Sequence, residues 1–192
     1  MFYFIKTPWW LKKLWPGCIW DIKTSEKILY LTFDDGPDPI ATPFVLEQLR
    51  KYNAKATFFC IGNNVAEHFS LYKNMIEDGH KPGNHTYDHL NGWREKDRNY
   101  LENIFQAKQV IDSNLFRPPY GKITKFQLKQ LSGEKYKLTT IMWDVISGDF
   151  DKKVSAEDCF LNVARNAKSG SIIVFHDSEK AFPKLQYALP RL

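Results

Sequence analysis

The chain has 192 residues, of which 43% are hydrophobic and 26% are charged, and its formal net charge is +5. This length suits one domain with a sizeable core, and the composition is that of a globular protein rather than a disordered or fibrous one. The basic excess is mild, and no dense Lys/Arg cluster interleaves with the aromatic residues, which argues against a nucleic-acid partner.

The first 26 residues form an aromatic and basic segment, which we predict to precede a catalytic domain over residues 27–192. The segment lacks the apolar run and cleavage site of a signal peptide, and no stretch of the chain is apolar enough to span a bilayer. We favour aromatic side chains that cover one end of the core. The alternative is weak contact of residues 1–20 with a membrane surface, because Trp and Lys suit the lipid interface. We therefore favour a cytoplasmic or peripherally membrane-associated protein, and the oligomeric state stays open.

From residue 27 onwards, strand-like segments alternate with helix-like segments. This alternation is typical of parallel βαβ units, in either an open sheet or a barrel. A dinucleotide-binding sheet is disfavoured, because the acidic Asp34 and Asp35 follow the first strand, where they would repel a phosphate. Strands are predicted at 27–33, 56–61, before 83–84, near 116, at 137–145 and at 171–175. Helices are predicted at 42–52, 64–77, 99–111, 124–131 and 155–167, with Thr124 and Ser155 as N-caps.

Nearly every unusual polar residue follows the end of a predicted strand. In a βα barrel these strand ends share one face, and that face carries the chemistry. The residues are Asp34, Asp35, His85, His89, Arg117, Asp149 and His176. His68 and His80 have no such setting, and we predict that both lie at the surface. The three cysteines are far apart and form no CxxC pair, so Cys60 is predicted to be a buried apolar residue.

His85 and His89 have the spacing that would place two rings on one face of a helical turn. Two imidazoles and one carboxylate can hold a metal and leave positions open for water and substrate. The alternative is a pair of surface histidines. Asp34 and Asp35 are adjacent carboxylates, which repel one another unless a cation offsets the repulsion. One could bind a metal while the other takes a proton from water; a simple strand-capping turn explains one Asp but not two.

Arg117 begins the sequence Arg-Pro-Pro-Tyr-Gly, which forms a rigid turn because Pro restricts the backbone. Such a turn could aim the Arg at a carboxylate and expose a backbone N–H to an oxyanion, or it could be an ordinary Pro-rich loop. His176 ends an apolar strand, where it could act as a general acid near neutral pH or simply cap the strand.

Together these motifs resemble the polysaccharide deacetylase family, whose members include chitin and peptidoglycan deacetylases. The motifs occur in the family's order over residues 27–178. They are Thr-Phe-Asp-Asp-Gly-Pro (32–37), Gly-Asn-His-Thr-Tyr-Asp-His (83–89), Arg-Pro-Pro-Tyr-Gly (117–121), Trp-Asp-Val-Ile-Ser-Gly-Asp-Phe (143–150) and Ile-Val-Phe-His-Asp (173–177). The resemblance implies a distorted (β/α) TIM-like barrel with fewer than eight units and metal-dependent removal of acetyl groups from N-acetylglucosamine-containing glycans such as peptidoglycan or chitin. The alternatives are an O-acetyl carbohydrate esterase and a non-catalytic glycan-binding protein.

The resemblance also implies a role for each motif residue. Metal ligands would be Asp35, His85 and His89, with zinc the expected ion and cobalt or nickel as alternatives. Asp34 would be the general base, His176 the general acid, Arg117 the residue that orients Asp34, and Asp149 the residue that holds Arg117. The Tyr120 backbone N–H would stabilise the oxyanion, and Val174 would line the pocket for the acetyl methyl group.

Two further expectations concern the end of the chain and a different enzyme class. Relatives usually continue through another helix and strand, whereas this chain ends at Leu192, so the barrel is expected to lack its closing helix and strand. Two His and one carboxylate also suit non-haem iron oxygenases. Those enzymes are usually antiparallel β proteins, and the βα alternation argues against one.

Overall fold

A computed structural model of the protein describes residues 3–192. Within them the backbone forms one parallel sheet of eight strands, in the spatial order β1-β6-β5-β4-β3-β2-β8-β7. The strands are β1 (Cys18–Ile19), β2 (Tyr30–Asp34), β3 (Thr57–Cys60), β4 (Lys81–Asn84), β5 (Leu115–Phe116), β6 (Thr139–Ile141), β7 (Val145–Ile146) and β8 (Ile172–His176). The curled sheet is a distorted TIM-like half-barrel, which confirms the predicted fold class.

Helices cover the outer face of the sheet and connect most, but not all, of its strands. They are α1 (Trp9–Leu14), α2 (Ala41–Lys51), α3 (Gly62–Glu67), α4 (Phe69–Glu77), α5 (Asp97–Lys108), α6 (Lys125–Ser132), α7 (Ala156–Ala164) and α8 (Phe182–Ala188). Short 3-10 turns lie at Pro119–Gly121 and Leu189–Arg191. No helix connects β1 to β2 or β6 to β7 within residues 3–192, so the barrel has fewer than eight βα units, as predicted. In the same range no strand follows β8, although α8 does.

The alternation of side chains along the strands separates the core from the barrel interior. Phe33 stacks on Phe58 at 5.1 Å and on Phe175 at 6.0 Å, and these rings belong to the core beneath the helices. Because successive strand residues face opposite sides, Thr32 and Asp34 point into the barrel instead. The strands thus pack their aromatic side chains against the helices and direct the Asp34 side chain into the barrel at the carboxyl end of β2.

Two predicted elements are each divided in the structure. The predicted helix over 64–77 is broken at His68 into α3 and α4. The predicted strand over 137–145 becomes β6 and β7, because the backbone changes partners between them: Met142 N–H donates to Ile19 and Asp144 N–H to Ile172. The two predicted N-caps are confirmed. Thr124 forms a capping box with Gln127, and Ser155 caps α7.

The N-terminal segment runs along the outer edge of β7 and then supplies β1, which pairs with β6. Thr7 N–H donates to the Asp144 carbonyl at 2.8 Å, and Lys6 pairs with Val145 in an antiparallel bridge. The Asp144 carboxylate is fully buried and accepts from Lys6 at 2.5 Å and from Lys12 at 2.7 Å. These two ion pairs fasten the segment to the barrel, since detaching the segment would remove both ammonium groups and leave the buried carboxylate unpaired.

The aromatic residues of this segment divide between core and surface. Trp20 is buried with Cys18 and Met142, whereas Trp9 is 68% exposed. Membrane contact through residues 1–20 stays a prediction, and its first two residues lie outside the described part of the chain; the boundary at residue 26 also stays a prediction. In residues 3–192 no helix has the length and apolarity needed to cross a bilayer.

The prediction that His80 lies at the surface is wrong. His80 is 4% exposed, and its Nδ1 accepts the Ala56 N–H at 3.2 Å, because these residues directly precede the paired strands β4 and β3. Burial lowers the pKa of His80, which keeps the ring neutral. Cys60 is buried, as predicted.

Candidate active site

Four of five consecutive strands bring the motif residues together at their carboxyl ends. Asp34 is the last residue of β2 and lies beside His176, the last residue of β8, in the parallel ladder. His85 follows β4 directly, and Arg117 follows β5. The strand order β5-β4-β3-β2-β8 therefore places these side chains around the same end of the barrel, as the sequence predicts.

Asp35, His85 and His89 form a group whose potential ligand atoms all lie within 4.8 Å of one another. Asp35 Oδ1 is 3.1 Å from His89 Nε2 and 3.6 Å from His85 Nε2. This buried oxygen makes no hydrogen bond in the described part of the chain. A carboxylate oxygen that converges with two imidazole nitrogens, yet has no proton donor of its own, fits a divalent metal.

The hydrogen bonds of His85 leave its outer nitrogen free for a metal. Its Nδ1 lies 2.7 Å from the Arg117 carbonyl oxygen. Because a carbonyl only accepts, Nδ1 carries the hydrogen and Nε2 keeps its lone pair. Burial lowers the pKa of His85 to about 4, so the ring is neutral at physiological pH. Burial opposes ionisation of Asp35, but His89, His176 and His85 outweigh it and hold its pKa below the usual range.

The two histidines converge through an irregular loop rather than through the helical turn that their spacing suggested. Thr86 has φ 65° and His89 has φ 56°, both in the left-handed region. Strained backbone of this kind persists only where surrounding hydrogen bonds and packing hold it in place. Asn103 on α5 supplies such bonds, since its Oδ1 accepts the N–H groups of Tyr87 at 2.8 Å and Asp88 at 3.0 Å. Asn103 is not predictable from a local sequence pattern, because only the folded chain brings α5 beside this loop.

Arg117 is a buried cation held against Asp34. Its Nη1 donates to Asp34 Oδ1 at 2.6 Å and to Thr32 Oγ1 at 2.7 Å. The guanidinium also lies 4.0 Å from the centre of the Phe59 ring. Arg117 and Asp34 are 0% and 3% exposed, so the pair is shielded from solvent screening. This is the contact that the resemblance implies, and it fixes the direction of the Asp34 carboxylate.

The expected contact between Asp149 and Arg117 is wrong. Asp149 Oδ1 instead lies 2.7 Å from His176 Nδ1, and Asp149 Oδ2 accepts the His176 N–H at 2.7 Å. The reason is the strand order: Asp149 follows β7, which neighbours β8, whereas Arg117 follows β5 on the other side of the barrel. Burial lowers the pKa of His176, but the Asp149 carboxylate outweighs it and raises the pKa to about 10.

Three further side chains border these groups. The Tyr120 ring is 4.7 Å from the His89 ring, and Tyr120 adopts φ 60°. Val174 is buried and is the ladder partner of Thr32, so it faces the barrel interior one layer below His176. The Phe150 ring lies 5.2 Å from the His176 ring. The roles expected for the Tyr120 N–H and Val174 stay predictions.

Asp177 holds the turn that carries the two acidic residues. It is buried, accepts the Thr42 hydroxyl at 2.6 Å and accepts the Gly36 N–H at 3.2 Å. A Cβ at position 36 would lie only 2.0 Å from Asp177 Oδ2, so this close approach requires glycine. Burial raises the pKa of Asp177 well above its usual range, and both carboxyl oxygens are engaged by the turn, so Asp177 has a structural role.

The sequence and the fold both match known proteins. Residues 21–138 match the sequence model of a family described as polysaccharide deacetylase. A peptidoglycan-N-acetylglucosamine deacetylase of Bacillus cereus is 38% identical over 164 residues, which are 82% of this chain and 76% of that protein. A chitooligosaccharide deacetylase of Azorhizobium caulinodans is 34% identical over 163 residues, which cover 81% and 76% of the two chains.

Solved structures show the same similarity. A peptidoglycan N-acetylglucosamine deacetylase in complex with a naphthalenyl N-oxidanyl-benzamide superposes with a TM-score of 0.86 at 31% identity. The superposition covers 96% of this chain and 88% of the other. The similarity therefore extends over the barrel, the strand-end residues and most of the N-terminal segment.

Proposed function

The chain belongs to the polysaccharide deacetylase family, and from that premise we propose that it hydrolyses the acetyl groups of N-acetylglucosamine-containing glycans. The observation that carries this proposal is a metal-binding triad flanked by two buried ion pairs of different kinds. On one side Arg117 donates to Asp34, and on the other Asp149 accepts from His176. Amide hydrolysis needs a base for water and an acid for the leaving amine, and the two pairs match these needs.

Asp35, His85 and His89 would hold the metal, for which we propose zinc, with cobalt or nickel as alternatives. Two neutral imidazoles and one carboxylate are a common ligand set for catalytic zinc. When bound there, a divalent ion lowers the pKa of water and polarises an acetyl carbonyl. The hydrogen bond from His85 to the Arg117 carbonyl orients this ligand.

Asp34 is the proposed base. Its Oδ1 is engaged by Arg117, so the other carboxylate oxygen is free to accept a proton from the attacking water. The buried guanidinium keeps the carboxylate in one orientation during that transfer. The Tyr120 N–H would donate to the oxyanion, and Val174 would pack beside the acetyl methyl group.

His176 is the proposed acid. Because Asp149 engages Nδ1 and raises the pKa to about 10, the ring is protonated at neutral pH. Nε2 then carries the proton that is available to the departing sugar amine. A general acid that holds its proton before the reaction begins can protonate the amine as the C–N bond breaks, and acetate is released.

The test is acetate release from N-acetylglucosamine oligomers before and after metal removal. We expect a chelator to abolish release and added zinc to restore it, with cobalt and nickel compared alongside. Release from O-acetylated sugars alone would instead indicate an esterase, and binding without release would indicate a non-catalytic protein. If metal analysis found iron as the dominant ion, the ligand set would belong to an oxygenase rather than a hydrolase.

A further inference from the structure

An exposed tryptophan and a half-buried lysine form a pair at the rim of the proposed active site. The Lys122 Nζ lies 4.0 Å from the centre of the Trp93 ring. The Trp93 side chain is 56% exposed, yet its indole N–H donates to the Ile123 carbonyl at 2.9 Å, which fixes the plane of the ring. Within residues 3–192 no carboxylate forms an ion pair with Lys122. The rim therefore presents a positioned cation on a flat apolar surface.

This pair is fixed at a short distance from the metal-binding triad. Lys122 follows Tyr120 by two residues, and the Tyr120 ring contacts the His89 ring at 4.7 Å. Two residues of extended chain span about 7 Å. The loop that carries Trp93 is locked against the same turn, since a Cβ at Gly92 would lie 2.5 Å from the Lys122 carbonyl oxygen. Gln127 Nε2 also donates to the Gly92 carbonyl at 2.8 Å.

The chemistry of the pair is that of a subsite for an acidic sugar. The indole face that Lys122 does not cover can pack against the apolar face of a sugar ring, and the ammonium beside the indole offers a point charge to a carboxylate. Lys122 is half-buried and no carboxylate within residues 3–192 neutralises it, so its charge is left for a ligand. A neutral glycan would use only the aromatic surface.

We propose that Trp93 and Lys122 bind a carboxylate-bearing sugar that neighbours the N-acetylglucosamine being deacetylated. The inference rests on the proposed function and deepens it: the preferred substrate is an acidic glycan, in which N-acetylglucosamine alternates with a muramic-acid-type sugar, rather than a neutral chitooligosaccharide. Trp93 supplies a contact that does not depend on charge, and Lys122 supplies the discrimination between acidic and neutral sugars.

The experiment compares two substrates that differ only in charge. One is an N-acetylglucosamine–N-acetylmuramic acid tetrasaccharide with free carboxylates, and the other is the same tetrasaccharide with those carboxyl groups reduced to alcohols. For the zinc-loaded wild-type chain we expect a kcat/KM that is higher for the acidic substrate by about three- to fivefold, the range for a solvent-exposed ion pair. Raising the ionic strength should diminish this ratio, because salt screens exposed charges.

Three variants test the assignment. Lys122→Gln should bring the ratio of the two kcat/KM values close to one, whereas Lys125→Gln, which removes an exposed lysine three residues away, should leave the ratio at the wild-type value. Trp93→Ala should lower kcat/KM for both substrates by about two- to tenfold, as expected for loss of an aromatic contact.

The outcomes separate this inference from the proposed function. Acetate release from both substrates without any preference in the wild type would overturn the subsite and leave the deacetylase assignment standing. An equal change of the ratio in Lys125→Gln would also overturn it, because it would reduce the effect to general surface charge. No acetate from either substrate with zinc, cobalt or nickel would overturn the proposed function itself.

Discussion

His85 and His176 are both histidines at the carboxyl end of a parallel strand, yet the structure drives their protonation in opposite directions. His85 is buried, its Nδ1–H donates to a neutral backbone carbonyl, and its pKa falls to about 4. His176 donates Nδ1–H to the buried Asp149 carboxylate, and its pKa rises to about 10. The partner of Nδ1 thus decides whether a strand-end histidine is a ligand with a free lone pair or an acid with a retained proton.

The largest effect should come from the two adjacent acidic residues on the metal side. Asp34→Asn and Asp35→Asn should each lower acetate release by about 10³-fold or more, since each removes a group on which hydrolysis depends. They should differ in metal content. Asp34→Asn should bind zinc as the wild type does, because Asp34 is not one of the converging ligands, whereas Asp35→Asn should bind it weakly.

Zinc stoichiometry and acetate release, measured on the same samples, check this pair of variants. Equal loss of zinc in both would show that the two carboxylates share the metal, and the division of roles between them would then be wrong.

Asp149→Asn should make the protonation of His176 more like that of His85. Burial lowers the His176 pKa, and without the Asp149 carboxylate the largest opposing contribution is lost, so the His176 pKa falls. We expect kcat to drop by about 10²-fold, and the alkaline limb of the pH–rate profile to move to lower pH. A profile measured from pH 5 to 10.5 checks this. A drop in kcat with an unmoved alkaline limb would contradict the role of Asp149 as the group that retains the proton.

The opposite pKa shifts of His85 and His176 should also make the stability of the metal-free protein depend on pH. His176 has a raised pKa, so its contribution is fully present below pH 6.5 and is lost as pH rises towards about 10. His85 has a lowered pKa, so stability is lost as pH falls from 6.5 towards about 4. Each limb should amount to about 3–5 kcal/mol.

Urea unfolding at several pH values measures both limbs. His176→Asn should flatten the alkaline limb and His85→Asn the acidic limb. If either variant flattened both limbs, the two histidines would not titrate as separate groups.

The smallest effect concerns the contact between Tyr3 of the N-terminal segment and the residues beside His176. The Tyr3 ring lies 5.1 Å from the Phe150 ring, which in turn contacts His176, and the Tyr3 hydroxyl donates to Asp151 at 3.1 Å. Tyr3→Ala should lower the free energy of unfolding by about 1 kcal/mol, whereas Tyr3→Phe keeps the ring contact and should cost less. Thermal unfolding of the two variants compares them directly; an equal loss would assign the effect to the hydroxyl instead.

The sequence was informative about the site because the relevant contacts follow from local rules. Hydrophobic alternation placed the strands, and parallel βα units bring strand ends to one face, so Asp34, Asp35, His85, His89 and His176 could be grouped from their positions alone. The caps at Thr124 and Ser155 were predictable for the same reason, since a cap involves residues within one helical turn.

The order of the strands was not available from such local rules. The family resemblance implied a contact between Asp149 and Arg117, and only the adjacency of β7 and β8 shows that the partner of Asp149 is His176. Likewise, the division of the 137–145 strand depends on β1 and β8, which lie far away in the chain.

What the sequence determined by itself is therefore the set of chemical groups and the end of the barrel at which they meet. The tertiary structure decided which group each one touches, and hence its charge: a carbonyl for His85, a carboxylate for His176 and a guanidinium for Asp34. The physical reason is that residue type and periodicity act over a few positions, whereas a pKa is set by whichever buried charge lies within a few ångströms.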